Sequence, residues 1–173
     1  MSENSMILYT ILNNIFCANG KTNKKGGIKM IEQDTIRLLR EVDAGVKMGV
    51  SSIDEVLGRV KSQKLVSFLN DCRIEHERLR ELCEKMLNEY GDEGKDTNPI
   101  ASGMSKIKTE FKLAVNETDE AIADIMTDGC NMGIKSLNKY LNEYEAAEER
   151  AKDIAKKLIK LEEKLAKEMK FYL

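Results

Sequence analysis

The chain has 173 residues, of which 34% are charged and 5% aromatic, with one proline, no tryptophan and a formal net charge of −2. This length suits one domain with a substantial core, and the balance of glutamate, lysine, leucine, alanine and isoleucine is typical of long amphipathic helices. Lysine and glutamate are interspersed, which excludes a strongly basic surface for nucleic acid. We predict an all-helical, cytoplasmic protein that binds neither nucleic acid nor membrane.

The four cysteines, Cys17, Cys72, Cys83 and Cys130, are widely spaced along the chain. A disulfide framework or a zinc site would show closer and more regular spacing, including pairs separated by two residues. We therefore expect reduced thiols that behave as small hydrophobic side chains in a reducing compartment.

The first 29 residues differ in composition from the rest of the chain. They contain four lysines and one acidic residue, and their apolar run, Met6 to Cys17, is too short to span a bilayer. Residues 25–30 read Lys-Gly-Gly-Ile-Lys-Met, as a translated ribosome-binding site followed by an ATG codon would. We predict that Met30 is the true start and that residues 1–29 are a translated leader. A disordered N-terminal extension is the alternative.

From Met30 onward, the apolar pattern predicts a single domain of four long helices over residues 30–173. Asp34 or Thr35 is placed to cap the first helix, whose apolar residues recur every three or four positions to about Lys61. Ser62 restarts the pattern. In the second helix the spacing alternates between four and three, as in a coiled-coil seam, over Leu65, Leu69, Cys72, His76, Leu79, Cys83, Met86 and Tyr90.

The second half of the domain begins with a loop over residues 91–99, which contains two glycines and the only proline. Residues 100–115 are predicted as a short helix or an irregular crossover, and residues 116–119 give a second capping signal. The third helix extends to about Tyr144, and the last carries an apolar stripe from Ala151 to Tyr172. Because the links within each helical pair are short, we predict an antiparallel four-helix bundle with a crossover between helices two and three.

Part of the first helix matches part of the third. Residues 48–54, Met-Gly-Val-Ser-Ser-Ile-Asp, correspond to residues 132–138, Met-Gly-Ile-Lys-Ser-Leu-Asn. With a shift of two residues, His76 in the second helix falls opposite Glu162 in the fourth. We interpret the chain as an internal repeat of two related helical hairpins.

Paired glycines accompany this repeat, Gly45 with Gly49 and Gly129 with Gly133. Glycine inside a helix costs about 1 kcal/mol relative to alanine, so four of them need a reason. Close approach of the first and third helices is the interpretation we favour. Room for a ligand in the middle of the bundle is the alternative.

With these elements in place, the chain resembles the ferritin-like superfamily, in particular uncharacterised bacterial bundle proteins of Firmicutes type. The resemblance covers residues 34–172 and rests on three segments: Asp43 to Asp54, Glu75-His76-Glu77, and Thr127 to Gly133. It implies a four-helix bundle with a crossover, and it implies no particular reaction.

The metal ligands of that superfamily do not carry over completely. Its di-iron site takes a Glu-x-x-His motif from each of two helices, but His76 is the only histidine in this chain. Arg73 stands where the glutamate of the first motif would be, and Glu162 stands where the second histidine would be. The di-iron pattern is therefore not met.

A single divalent ion such as iron, zinc or manganese is the remaining metal hypothesis, because mixed carboxylate and imidazole ligands suit such ions. The candidate ligands are His76, Glu162, Asp43, Asp128, Cys72 and Cys130. The interpretation we favour is a core histidine that hydrogen-bonds a carboxylate or a backbone carbonyl.

The functional expectation is accordingly a binding or assembly protein with no catalytic residues and no resident cofactor. The sequence specifies no protein partner, and a homodimer is one form that assembly could take. The alternative is a metal-binding or redox-active bundle with a mononuclear site around His76.

Overall fold

The computed structural model describes residues 23–94 and 118–173. Within these two stretches the chain forms no strand and four helices: α1 (Asn23–Leu57), α2 (Gln63–Glu89), α3 (Asp119–Glu143) and α4 (Glu149–Met169). The predicted all-helical, four-helix class is confirmed. The predicted crossover at residues 100–115 lies outside the described residues, as do Cys17 and most of the predicted leader.

The starts of α2 and α3 follow the capping signals in the sequence. The side chains of Ser62 and Thr118 each accept a hydrogen bond from the backbone N–H three residues further on, as N-capping residues do. The Asp119 carboxylate also accepts hydrogen bonds from the backbone N–H groups of Lys61 and Ser62, at 2.7 and 2.9 Å. The first turn of α3 is thereby joined to the link between α1 and α2.

The start of α1 differs from the prediction, since the helix begins before Asp34 and Thr35. Both side chains bind the link between α3 and α4 instead of capping α1. Asp34 Oδ2 accepts a hydrogen bond from Ala146 N at 3.2 Å, and Thr35 Oγ1 accepts one from Glu148 N at 2.9 Å. Two residues that could cap a helix N-terminus therefore hold the α3–α4 link instead, and α1 continues past them toward the N-terminus.

All four helices contribute to one apolar core. α1 packs against the other three helices, and α2 and α3 each pack against α4. The eight-position seam of α2 is buried from Leu65 to Met86, and Tyr90 at its end is half-buried. Across the described residues, no helix combines the length and the apolar character that crossing a membrane requires.

α1 extends beyond the level at which Asp34 and Thr35 meet the α3–α4 link. In this extension Ile28, Met30 and Ile31 are 65%, 55% and 40% exposed. We call residues 27–33 the α1 overhang. Its apolar side chains are not covered by the described part of the chain.

Candidate functional site

The centre of the bundle holds a buried polar pair, His76 on α2 and Glu162 on α4. His76 is fully buried and Glu162 is 8% exposed. The His76 Nε2 atom lies 3.1 Å from Glu162 Oε1, and the Nδ1 atom lies 2.8 Å from the backbone oxygen of Cys72. Because a carbonyl oxygen only accepts, Nδ1 carries a proton and donates it to Cys72. Both ring nitrogens are therefore paired inside the protein.

Two glycines leave the space in which this pair sits. A Cβ atom on Gly49 of α1 would lie 2.6 Å from both Cδ2 and Nε2 of His76, and 3.6 Å from Glu162 Oε1. A Cβ atom on Gly133 of α3 would lie 3.9 Å from Cγ and Cδ of Glu162. All four helices thus shape the centre: α2 and α4 supply the polar side chains, and α1 and α3 supply glycines.

The paired glycines of the sequence are not equivalent in the structure. At Gly49 the space is filled by the His76 ring, which neither sequence interpretation anticipated. A Cβ atom on Gly45 would lie 3.4 Å from Leu158 Cδ2, which is ordinary packing, and one on Gly129 would meet no described atom within 4 Å. Of these four glycines, only Gly49 faces a described side chain that leaves no room for a Cβ atom.

Two buried thiols border the polar pair. Cys72 precedes His76 by one turn of α2, and Cys130 on α3 lies beside Glu162. Burial raises the pKa of Cys72 to about 11. Burial also raises the pKa of Cys130, and the neighbouring Glu162 carboxylate raises it further. Because the thiolate is the reactive form, these thiols are poor nucleophiles and poor metal ligands as they stand.

Asp43 is buried as well, but it lies nearer the start of α1. Its Oδ2 atom accepts a hydrogen bond from Lys47 Nζ at 2.8 Å, while Oδ1 has no hydrogen-bond partner among the described residues. Gly94, at φ +83°, covers it so closely that a Cβ atom there would lie 2.9 Å from Oδ2. Six residues, or about 9 Å of helix axis, separate Asp43 from Gly49 at the centre.

The remaining residues of the sequence hypothesis are placed as follows. Asp128 is exposed on α3. The structure therefore brings His76, Glu162, Cys72 and Cys130 into one neighbourhood and leaves Asp43 and Asp128 apart from it. Over residues 23–94 and 118–173, no three His, Cys, Asp or Glu side chains form a group that could hold a metal ion.

A second polar network lies at the end of the bundle and has no signal in the sequence. The Tyr90 hydroxyl donates a hydrogen bond to Glu148 Oε1 at 2.6 Å. Burial, followed by this hydrogen bond, raises the pKa of Tyr90 to about 12. Beside it, Arg150 forms an ion pair with Glu89 at 2.9 Å. These contacts join the end of α2 to the start of α4.

A scan against protein-family models and searches of curated proteins and of solved structures found no match for this chain. The geometry of the centre and the uncovered surface of α1 are therefore the two features from which a function can be inferred.

Proposed function

We propose that this chain is a ferritin-like four-helix-bundle protein of the cytoplasm that has no catalytic activity and acts by binding or assembly. The observation that carries the proposal is the internal pairing of His76, whose two ring nitrogens are both satisfied in a fully buried position. The bordering thiols are held protonated by burial. Such a centre specifies how the four helices fit together and presents no reactive group to a substrate.

A ferritin-like arrangement, with antiparallel neighbouring helices, is the topology we propose. Lys64 near the start of α2 pairs with Glu168 near the end of α4, at 3.5 Å. Glu148, just before α4, is hydrogen-bonded to Thr35 in the first half of α1. These contacts support α1 and α4 running in one direction and α2 in the other.

The two ends of the described chain support a crossover between α2 and α3. Gly94, the last residue described after α2, lies against Asp43. Asp119, the first residue of α3, is hydrogen-bonded to the backbone at Lys61. From Asp43, α1 continues for 14 residues, about 21 Å, to its end at Leu57, just before the link that contains Lys61. A connection that joins opposite ends of a bundle is the feature that distinguishes a ferritin-like bundle from an up-down one.

Assembly through the α1 overhang is the form of action we propose. Ile31, Thr35, Leu38 and Val42 follow one another at steps of four, three and four, the spacing of a coiled-coil seam. The last three are fully buried, whereas Ile31 and its neighbour Met30 are exposed. A second copy presenting the same seam would cover both overhangs in a two-fold interface.

Light scattering over a range of concentrations tests this assembly. We expect the wild-type protein to form a dimer and the Ile31→Lys variant to remain a monomer. Ile74→Lys is the matched control, because this side chain is 49% exposed but lies on α2, away from the seam. A wild-type monomer at every concentration, or equal loss of the dimer in the control, would contradict the proposal.

A mononuclear metal or redox centre at His76 is the second candidate function. It is favoured by one observation, the hydrogen bond from Nδ1 to a backbone carbonyl, which is the contact that metal-ligating histidines usually make with their second nitrogen. The Nε2 atom would then bind iron, zinc or manganese together with Glu162. Elemental analysis of untagged protein separates the two functions. A stoichiometric metal that is lost in His76→Gln would overturn the first proposal and support this one.

A further inference from the structure

We infer that one end of the bundle docks on an anionic membrane surface. The docking surface lies where α2 begins and α4 ends, and it combines exposed lysines with exposed apolar side chains. We call it the basic patch; its members are Lys61, Lys64, Lys164, Lys167, Lys170, Phe171 and Leu173. The patch lies at the end of α1 opposite the α1 overhang, because Lys61 follows Leu57. It is therefore separate from the surface through which we propose that the protein assembles.

Two contacts between α2 and α4 bring these lysines to one end of the molecule. Lys64 Nζ lies 3.5 Å from Glu168 Oε1. One turn further along α2, the Phe68 ring lies under the ammonium of Lys164, which is 5.6 Å from the ring centroid. Both contacts join the first turns of α2 to the last turns of α4. The lysines of the two segments therefore form one surface.

Positive charge dominates in these two segments. Residues 56–70 contain three basic residues and no acidic one, and residues 164–173 contain three lysines and one glutamate. That glutamate, Glu168, is the partner of Lys64, whose side chain is still 80% exposed. Because the segments are far apart in the sequence, the net charge of −2 does not reveal the patch. The sequence expectation of no membrane partner did not take it into account.

The ammonium groups of the patch are available to an external anion. Lys167 and Lys170 are exposed, and neither forms an ion pair within residues 23–94 and 118–173. Asp119 of α3 also reaches this end of the bundle, but its carboxylate accepts hydrogen bonds from the backbone N–H groups of Lys61 and Ser62. The described part of the chain therefore leaves the charge of the patch largely uncompensated.

Two apolar side chains directly follow the last lysine of the patch. Phe171 is 74% exposed, the highest value among the large apolar side chains that the structure describes, and Leu173 is 57% exposed. Lysines beside an exposed aromatic ring and a leucine are typical of surfaces that lie in the interface of an anionic bilayer. A soluble polyanion would bind the lysines and leave both apolar side chains in water. The combination therefore favours a lipid surface.

Attachment of this kind is peripheral. None of the described helices could cross a bilayer, and the apolar face of α4 is buried in the core. Phe171 and Leu173 enter the boundary between headgroups and acyl chains, while the lysines meet the anionic headgroups. Each lysine near an anionic leaflet strengthens binding about fivefold, so several together are needed for stable attachment.

Sedimentation with lipid vesicles tests the partner. We expect the wild-type protein to bind vesicles of phosphatidylcholine and phosphatidylserine and to lose affinity as added salt screens the charges. Vesicles of phosphatidylcholine alone should bind the protein much more weakly. Equal binding to the two kinds of vesicle, or no binding to the anionic ones, would overturn the inference.

The contribution of the lysines is measured with Lys167→Gln/Lys170→Gln, which should weaken binding to the anionic vesicles about thirtyfold. Lys135→Gln/Lys139→Gln is the matched control, because it makes the same change in net charge at exposed positions of α3. The control should bind as the wild type does, and circular dichroism should show unchanged helix content in both variants. Equal losses of binding would show that overall charge drives the attachment, and the patch would then have no special role.

Phe171→Trp tests insertion directly, because the chain has no tryptophan of its own. Its fluorescence should shift to shorter wavelength on the anionic vesicles as the side chain leaves water. Ile74→Trp, at an exposed position of α2 outside the patch, should show no shift. Soluble polyphosphate serves as the lipid-free anion. If it binds the protein as tightly as the vesicles do, and the vesicles leave the fluorescence of Phe171→Trp unchanged, the patch serves a different anionic partner and the inference is wrong.

Discussion

Gly49 is the residue on which the geometry of the centre depends most directly. The imidazole of His76 occupies the space next to its Cα, so close that any side chain at this position would meet the ring. The ring cannot move away freely, because Nδ1 and Nε2 are both engaged in hydrogen bonds. Glycine at this position makes the helix less stable, but it leaves the space that the buried imidazole occupies.

Gly49→Ala should lower the free energy of unfolding by about 1–3 kcal/mol, the usual cost of overpacking a core. The Cβ atom would lie 2.6 Å from two ring atoms, so the ring or the backbone must shift. Gly129→Ala is the matched control, since no atom of the described residues lies within 4 Å of its Cβ position. That change should be neutral or stabilise the protein by up to about 1 kcal/mol. Equal effects of the two substitutions in urea unfolding would contradict this account of Gly49.

The buried thiols give a second prediction at this scale. Burial, with a smaller effect of Asp43, raises the pKa of Cys83 from 9.0 to about 12, and burial raises that of Cys72 to about 11. The unfolded thiols release their protons first, so the folded state binds more protons above pH 9. Each thiol contributes its full stabilisation below that pH, and this contribution is lost as pH rises toward the pKa of the thiol in the folded state.

Between pH 9 and about 11, the free energy of unfolding should therefore fall as pH rises. In Cys83→Ala one of the contributing groups is absent, so the fall should be shallower. Urea unfolding at several alkaline pH values measures both slopes. Identical slopes for the wild type and Cys83→Ala would show that the thiol does not contribute.

At the scale of the helices, local sequence predicts most of what is observed. The spacing of apolar residues depends only on the helical repeat, so the four helices and the buried seam of α2 can be predicted without knowing their neighbours. The caps at Ser62 and Thr118 are equally local. Asp34 and Thr35 have the same chemistry, but their partners lie on the α3–α4 link, more than a hundred residues away. A competition between distant partners cannot be predicted from one segment.

The candidate site, too, contains residues that the sequence pattern places correctly and residues that it does not. The alignment of the predicted repeat pairs His76 with Glu162, and the structure brings these two side chains together. Residue type alone adds Asp43 and Asp128 to the group. Asp43, however, lies about 9 Å away along α1, and Asp128 is exposed. The spacing of apolar residues shows which face of a helix is buried. It does not show at which position along the bundle axis two side chains on different helices meet.

Asp119→Ala should lower the free energy of unfolding by about 1–2 kcal/mol, because the side chain accepts two hydrogen bonds from the α1–α2 link. Glu120→Ala is the matched control. Both residues are acidic and lie in the first turn of α3, so the interaction with the helix dipole is lost in each. Thermal unfolding of the two variants isolates the contribution of the link. A similar loss in both would assign the effect to the dipole.

At the scale of the whole molecule, the helix pairs that we predict to be hairpins, α1 with α2 and α3 with α4, make matching contributions to the centre. In the first, Gly49 faces His76; in the second, Gly133 lies beside Glu162. This pattern is what the sequence repeat predicts, and the repeat itself stays a prediction. If the hairpins are equivalent, the imidazole and the carboxylate should be exchangeable between them.

A double exchange, His76→Glu with Glu162→His, tests that equivalence. Each single substitution leaves a like pair in the buried centre and should cost about 3–5 kcal/mol, as breaking a buried pair usually does. The double variant restores one acid and one imidazole, and the wider space beside Gly133, where a Cβ would lie 3.9 Å from Glu162, accommodates the ring. We expect the double variant to lose about 1–3 kcal/mol less free energy of unfolding than the sum of the two single losses.

His76→Glu with Glu163→His is the control, because Glu163 is exposed and a histidine at position 163 would point away from the centre. If the double exchange recovers no more than this control, the two hairpins are not interchangeable, and the centre depends on the particular contact between His76 and Gly49.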